Sequence, residues 1–125
     1  MKKTTFHITK SAQQFENLLL EHMGIPRTEF HRNMIDYFFQ NNVRVHPYLL
    51  IRKIYDPNYI RKTELEQIYL DEFRREQLEK AGKENGCGIG VILFQAMISY
   101  SVAVGPEVLG HKEFVRIFGL DEDPD

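Results

Sequence analysis

Sliding the sequence along itself by 62 residues lays one half on the other without a gap. Thr4-Thr5-Phe6-His7-Ile8-Thr9 falls on Glu66-Gln67-Ile68-Tyr69-Leu70-Asp71. Further on, Gly24 meets Gly86, Ile25 meets Cys87, Phe30 meets Ile92, Met34 meets Ala96, Ile35 meets Met97 and Phe38 meets Tyr100. What the copies share is a pattern of apolar positions and one glycine. A fixed internal period marks one supersecondary unit used twice. A unit of about 40 residues is too small to bury a core of its own, and a lone strand has two open edges. The two copies are therefore expected to complete each other.

Each copy reads as strand, helix, glycine turn, helix. From Lys3 to Ile8 the residues alternate, with Thr4, Phe6 and Ile8 on one face and Lys3, Thr5 and His7 on the other, the period of a half-buried strand. Thr9 or Ser11 caps the next helix, whose stripe is Ala12, Phe15, Leu19 and Met23, and Gly24 stops it. Pro26 falls in the first turn of a second helix with the stripe Phe30, Met34, Ile35 and Phe38. In the second copy, Leu65 to Leu70 is the strand. Asp71 or Glu72 opens a helix through Leu78 and Ala81, Gly86 ends it, and Gly90 to about Val102 is an apolar helix that must be buried. The organisation is then residues 1–42, first repeat; 43–64, a structured connecting segment; 65–103, second repeat; 104–125, a C-terminal helix and acidic tail. The connection is too apolar for a linker and reads as one short extended segment, punctuated by His46-Pro47 and Asp56-Pro57-Asn58. The last helix is expected to start at Gly105-Pro106-Glu107 and end near Gly119, with a frayed tail from Asp121 to Asp125.

Composition narrows the function. The chain has 125 residues, 42% hydrophobic and 27% charged, as in folded soluble proteins. One cysteine, Cys87, excludes an internal disulfide framework and fits a reducing cytoplasm. Ile89 to Ile98, the longest apolar stretch, is interrupted by Gly90 and Gln95 and is too short for a membrane span. The net charge of -2 hides a split. Residues 1–62 hold 10 Lys+Arg and 5 Asp+Glu (+5), and residues 63–125 hold 6 and 13 (-7). A basic half beside an acidic half is compatible with a local nucleic-acid face.

The strand–helix–glycine–helix unit resembles the ribbon-helix-helix family of DNA-binding proteins. The resemblance rests on the alternating strand, the 16-residue spacing from Ile8 to Gly24 and the run Gly24-Ile25-Pro26-Arg27-Thr28-Glu29-Phe30. The second copy keeps the spacing, Leu70 to Gly86. It departs at Gly86-Cys87-Gly88-Ile89-Gly90, where small polar residues are usual. The resemblance implies a mainly α fold with a short two-stranded antiparallel ribbon, a tandem pseudo-dimer in one chain, plus a C-terminal helix. It also implies a ribbon laid in the DNA major groove. Outward Lys3, Thr5 and His7, and by the repeat Gln67 and Tyr69 with Leu65, would face the bases, where Gln67 suits adenine and Leu65 or Tyr69 a thymine methyl. The alternative is an ordinary solvated strand face, and Leu65 and Tyr69 equally suit packing against protein.

Helix starts leave amides without internal partners and attract anions. Arg27 and Thr28 at one start, Gly88 and Gly90 at the other, and Lys2 on the strand are the phosphate candidates. Tight helix packing is the alternative for the glycines. Arg44, Arg52, Lys53, Arg61 and Lys62 extend the basic character or form a solvated face. Cys87 reads as a small buried hydrophobe. The five histidines show no metal-site spacing, so no metal and no cofactor are expected. No triad or carboxylate pair points to an enzyme. The expectation is a cytoplasmic double-stranded-DNA-binding protein, a repressor or a relaxosome-type accessory factor of a mobile element, acting by occupancy. Two alternatives stand beside it. One is an antitoxin that regulates its own operon and binds a toxin through the acidic half. The other is a protein-interaction module that has lost DNA binding.

Overall fold

The computed structural model describes residues 1–118. The elements are β1 (Lys2–Ile8), α1 (Lys10–Met23), α2 (Arg27–Gln40), a 3₁₀ turn (Pro47–Leu50), β2 (Glu64–Leu70), α3 (Glu72–Asn85), α4 (Ile89–Leu109) and α5 (His111–Phe118). The 62-residue offset carries both ends of β1 onto those of β2, both ends of α1 onto those of α3, and the start of α2 onto that of α4. Local chemistry repeats as well. Thr9 caps α1 by accepting the Ala12 N–H at 3.1 Å, and Asp71 caps α3 by accepting the Arg74 N–H at 2.8 Å. Gly24 (φ 67°) and Gly86 (φ 68°) end those helices in the left-handed conformation that glycine adopts without steric penalty.

β1 and β2 form a two-stranded antiparallel sheet within the one chain, running from Lys2 opposite Leu70 to Ile8 opposite Glu64. Its inner face carries Phe6, Ile8, Ile68 and Leu70, each at most 2% exposed. These pack in one cluster with Phe30, Met34, Ile92 and Ala96 from α2 and α4, which are fully buried. The eight residues come from both copies and share one core, as the repeat required. α4 is the central strut, in contact with β1 and every other α-helix. It is long and apolar enough to cross a membrane by length and composition, and about half of that surface is buried inside the fold.

Three details differ from the sequence reading. Pro26 is the N-cap of α2 rather than a residue of its first turn, with an extended ψ of 152°. The helix does not break at Gly105-Pro106 but runs through Pro106 to Leu109, and α5 begins after Gly110 (φ 85°). Pro106 lies near the helix end, where the loss of one amide donor interrupts little of the hydrogen-bond ladder. Gly105 meanwhile makes room for the Phe114 ring: a Cβ there would lie 2.5 Å from Phe114 Cε2. α4 is thereby longer than the apolar stretch that argued against a membrane span. Third, the connecting segment is not extended as a unit. Its regular part is the Pro47–Leu50 turn, and Val45 and Leu49 drop into the core. With β1 and β2 already paired, an isolated extended stretch would gain no ladder, and His46-Pro47 favours a turn instead. The expected helix end at Gly119 and the tail from Asp121 to Asp125 lie outside the described residues.

Candidate nucleic-acid interface and a buried charge cluster

Alternation along the ribbon sorts its side chains into two sets. Lys3, Thr5 and His7 of β1 and Leu65, Gln67 and Tyr69 of β2 are all exposed on the outer face. They stand in three cross-strand pairs: Lys3 with Tyr69, Thr5 with Gln67, and His7 with Leu65. Lys2 is exposed at the end of the ribbon, opposite buried Leu70.

Two hollows flank this face. One, of about 410 Å³, brings Arg27 and Thr28 at the start of α2 beside Gln67 and Tyr69 of β2. The other, of about 480 Å³, brings Gly88 and Gly90 at the start of α4 beside Thr5 and His7 of β1. The offset of 62 relates Thr28 to Gly90, Thr5 to Gln67 and His7 to Tyr69, so three lining residues of one hollow correspond to three of the other. α1 and α3 are capped by side chains, whereas α2 and α4 open without one. A Cβ on Gly88 would meet nothing within 4 Å, and one on Gly90 only Phe6 Cβ at 3.6 Å. Helix–helix crowding is therefore not what selects these glycines.

Lys62 also lines the second hollow. The sequence offered it only as one of several basic residues. Its ammonium lies 5.3 Å from the centre of the Phe94 ring, and burial holds its pKa below the ordinary lysine value. Arg52 is turned elsewhere and donates to the Gly86 carbonyl at 3.0 Å. Cys87 is half-buried, and burial pushes its thiol pKa up, as for a packing residue rather than a nucleophile.

Beneath the first hollow lies a group of charges that the sequence reading did not assemble. Glu16 of α1, His31 of α2 and Glu66 of β2 are at most 6% exposed. His31 Nε2 lies 2.6 Å from Glu66 Oε2 and 3.3 Å from Glu16 Oε2. Arg27 reaches the outer oxygens, bonding Glu16 Oε1 and lying 3.5 Å from Glu66 Oε1. Its other nitrogen bonds Asn17 at 2.6 Å. Arg27 is thus partly committed inside the protein, and an anion at the start of α2 would share it. Burial pushes Glu16 up to about 7, against the pull of His31 and Arg27. Burial alone would depress His31, but the two carboxylates outweigh it and raise its pKa above the ordinary value. Burial would likewise raise Glu66, yet His31 above all keeps it below the usual carboxylate range.

Each of these polar residues occupies an apolar place in its pattern. Glu16 belongs to the stripe of Ala12, Phe15 and Leu19, His31 to that of Met34 and Ile35, and Glu66 to the face of Ile68 and Leu70. That signal was readable. The three residues come from three elements, so no spacing along the chain groups them.

No family model matches this chain, and neither the curated proteins nor the solved structures give a match.

Proposed function

We propose that the chain is a sequence-specific DNA-binding protein of ribbon-helix-helix design, with one polypeptide supplying both halves of a pseudo-dimer. The observation that carries this reading is the strand register. In a ribbon with a local two-fold axis, the residue on the axis must stand opposite its own equivalent. Thr5 stands opposite Gln67, its equivalent at 62 residues. The other outward pairs then follow: Lys3 faces the equivalent of His7, and His7 faces the equivalent of Lys3. Three lining residues of each flanking hollow obey the same relation.

A two-stranded ribbon fits the major groove. Lys3, Thr5, His7, Gln67 and Tyr69 would face base edges, while the openings of α2 and α4, with Thr28, Gly88 and Gly90, receive the flanking phosphates. Lys2 and Lys62 add positive charge at the margins. The protein would act by occupying cytoplasmic DNA, as a repressor or as an accessory factor marking a site on a mobile element. Fluorescence anisotropy with the DNA flanking its own gene tests this. Saturable binding that weakens steeply with salt, and that is lost when Lys3, Thr5 and His7 are replaced together by alanine, is expected. Equal affinity of wild type and triple variant for that DNA would reject the reading.

One observation favours a second reading. Leu65 and Tyr69 are 60% and 48% exposed on the ribbon, with Phe73 68% exposed shortly after it. An apolar half-face of this kind suits a protein partner, such as the toxin of an antitoxin pair. Failure to bind DNA, together with capture of a defined partner abolished by Leu65→Ser and Tyr69→Ser, would favour it.

A further inference from the structure

We propose that Glu16 Oε2, His31 Nε2 and Glu66 Oε2 are the three protein ligands of a divalent transition-metal site, best suited to zinc. The three donor atoms lie within 4.8 Å of one another, and all three residues are buried. Both carboxylates turn their Oε1 atoms to Arg27 and their Oε2 atoms to the same imidazole nitrogen. Arg27 therefore stands where an outer partner holds a ligating carboxylate in place, without occupying the inner oxygens.

A second observation points to a ligand. Glu16 is fully buried, and its Oε2 makes no hydrogen bond of good geometry among the described residues, only the 3.3 Å ion-pair contact with His31 Nε2. A fully buried carboxylate oxygen left with one long contact, aimed into such a cluster, calls for an explanation. The repeat supplies a third argument. At the places equivalent to Glu16 and His31, the second copy has Leu78 and Leu93, both fully buried. Two leucines fill that position in the other half of the same fold, so the architecture does not require charges there.

The donor set is one imidazole and two carboxylates, with no thiolate. Three protein ligands and an open side are the pattern of an accessible zinc site. Around a tetrahedral zinc with bonds near 2.0–2.1 Å, ligand atoms stand about 3.3 Å apart. The His31–Glu16 separation already matches this, and the His31–Glu66 contact has to open. The hollow bordered by Gln13, Asn17 and Thr28 gives the ion a path and leaves room for a water as fourth ligand. His31 Nε2, and Glu16 to the extent that it is protonated, release their protons to solvent as the ion binds, and two carboxylates then balance the ion's two charges. Manganese, with a stronger need for oxygen ligands, fits less well. The site stands whether or not the ribbon meets DNA.

Titrate the chelator-treated full chain with zinc by calorimetry, and with cobalt(II) by visible absorption. One equivalent should bind, with d–d bands of a four- or five-coordinate ion, and zinc should raise the melting temperature. Glu66→Gln and Glu16→Gln should weaken binding at least tenfold. Should either variant fail to fold, as judged by circular dichroism, ring ¹⁵N shifts of the wild-type histidines decide. Zinc should move the Nε2 of His31 and leave the other four rings in place. Absence of binding at 0.1 mM zinc, binding unchanged in a folded variant, or shifts confined to other histidines would overturn the proposal.

Discussion

Thr5 lies directly opposite Gln67 across the ribbon, and on either side of this pair the matched positions carry different side chains: Lys3 beside Tyr69, His7 beside Leu65. The register pairs positions symmetrically about Thr5 and Gln67, while the side chains at those positions differ. Half-site symmetry in DNA mirrors symmetry in the protein that reads it. If the ribbon reads DNA, one chain should therefore select an asymmetric subsite, and adjacent chains should give direct repeats. Selection from a random DNA pool measures this. A perfect inverted repeat centred on a single ribbon footprint would contradict it.

The shared core makes a quantitative statement about Phe30. Its ring is fully buried and meets Tyr100, from the other copy, edge-on at a centroid distance of 5.2 Å. Phe30→Ala should cost about 3–5 kcal/mol, read from the midpoint of urea unfolding, in one transition spanning both copies. A fragment ending near Gln40 should not fold as a monomer. A native-like spectrum from that fragment at low concentration would show that the first copy needs no partner.

Asp71 accepts from the Arg74 amide as N-cap, and its other oxygen pairs with the Arg74 guanidinium at 2.7 Å. Arg74 in turn reaches Asp36 of α2 at 2.6 Å, tying α3 to the first copy. The amide first, then the guanidinium, holds the Asp71 carboxyl below its ordinary pKa. Its contribution is therefore present above the unfolded value of about 3.9 and is lost as pH falls through the lower folded value. Asp71→Ala should cost about 1 kcal/mol near neutrality. The gap between wild type and variant should close in acid below pH 4, as followed by thermal melts.

Gly82 tests packing against helix propensity. It sits inside α3, where alanine is favoured over glycine by about 1 kcal/mol. A Cβ there, however, would lie 2.6 Å from the Cys87 carbonyl oxygen, a backbone atom. Backbone cannot yield as a side-chain tip can, so overpacking should win. Gly82→Ala is expected to destabilise by about 1–3 kcal/mol in chemical denaturation. A variant as stable as wild type would mean that the turn from Gly86 to Gly88 shifts freely.

The strands, the caps at Thr9 and Asp71 and the stops at Gly24 and Gly86 were legible because each rests on local chemistry. The pairing of β1 with β2 was reachable because the repeat left neither strand another way to bury its face. The course of α4 was not. Glycine and proline at 105 and 106 carry a strong local stop signal, and it is overruled by the docking of Phe114 in the space that Gly105 leaves. The group of Glu16, His31 and Glu66 was legible only in part. Each is a polar residue in an apolar stripe, but nothing in one dimension says that three such breaks, 15 and 35 residues apart, meet at a point. Nor did the sequence show that Arg27, offered to phosphate, is already half engaged from within.

The position of β2 has a consequence for the birth of the protein. During synthesis β1 emerges first, and the partner that will cover its edge is 62 residues behind. At about 5–20 residues per second, the wait is roughly 3–12 seconds. Throughout that interval Phe6 and Ile8 have no sheet to complete, and two backbone edges stand open to neighbouring nascent chains. Lys2 and Lys3 lie on that strand, and lysine on an open edge discourages strand-to-strand association. The same lysines that the finished ribbon leaves exposed would thus serve first as guards of an unfinished one.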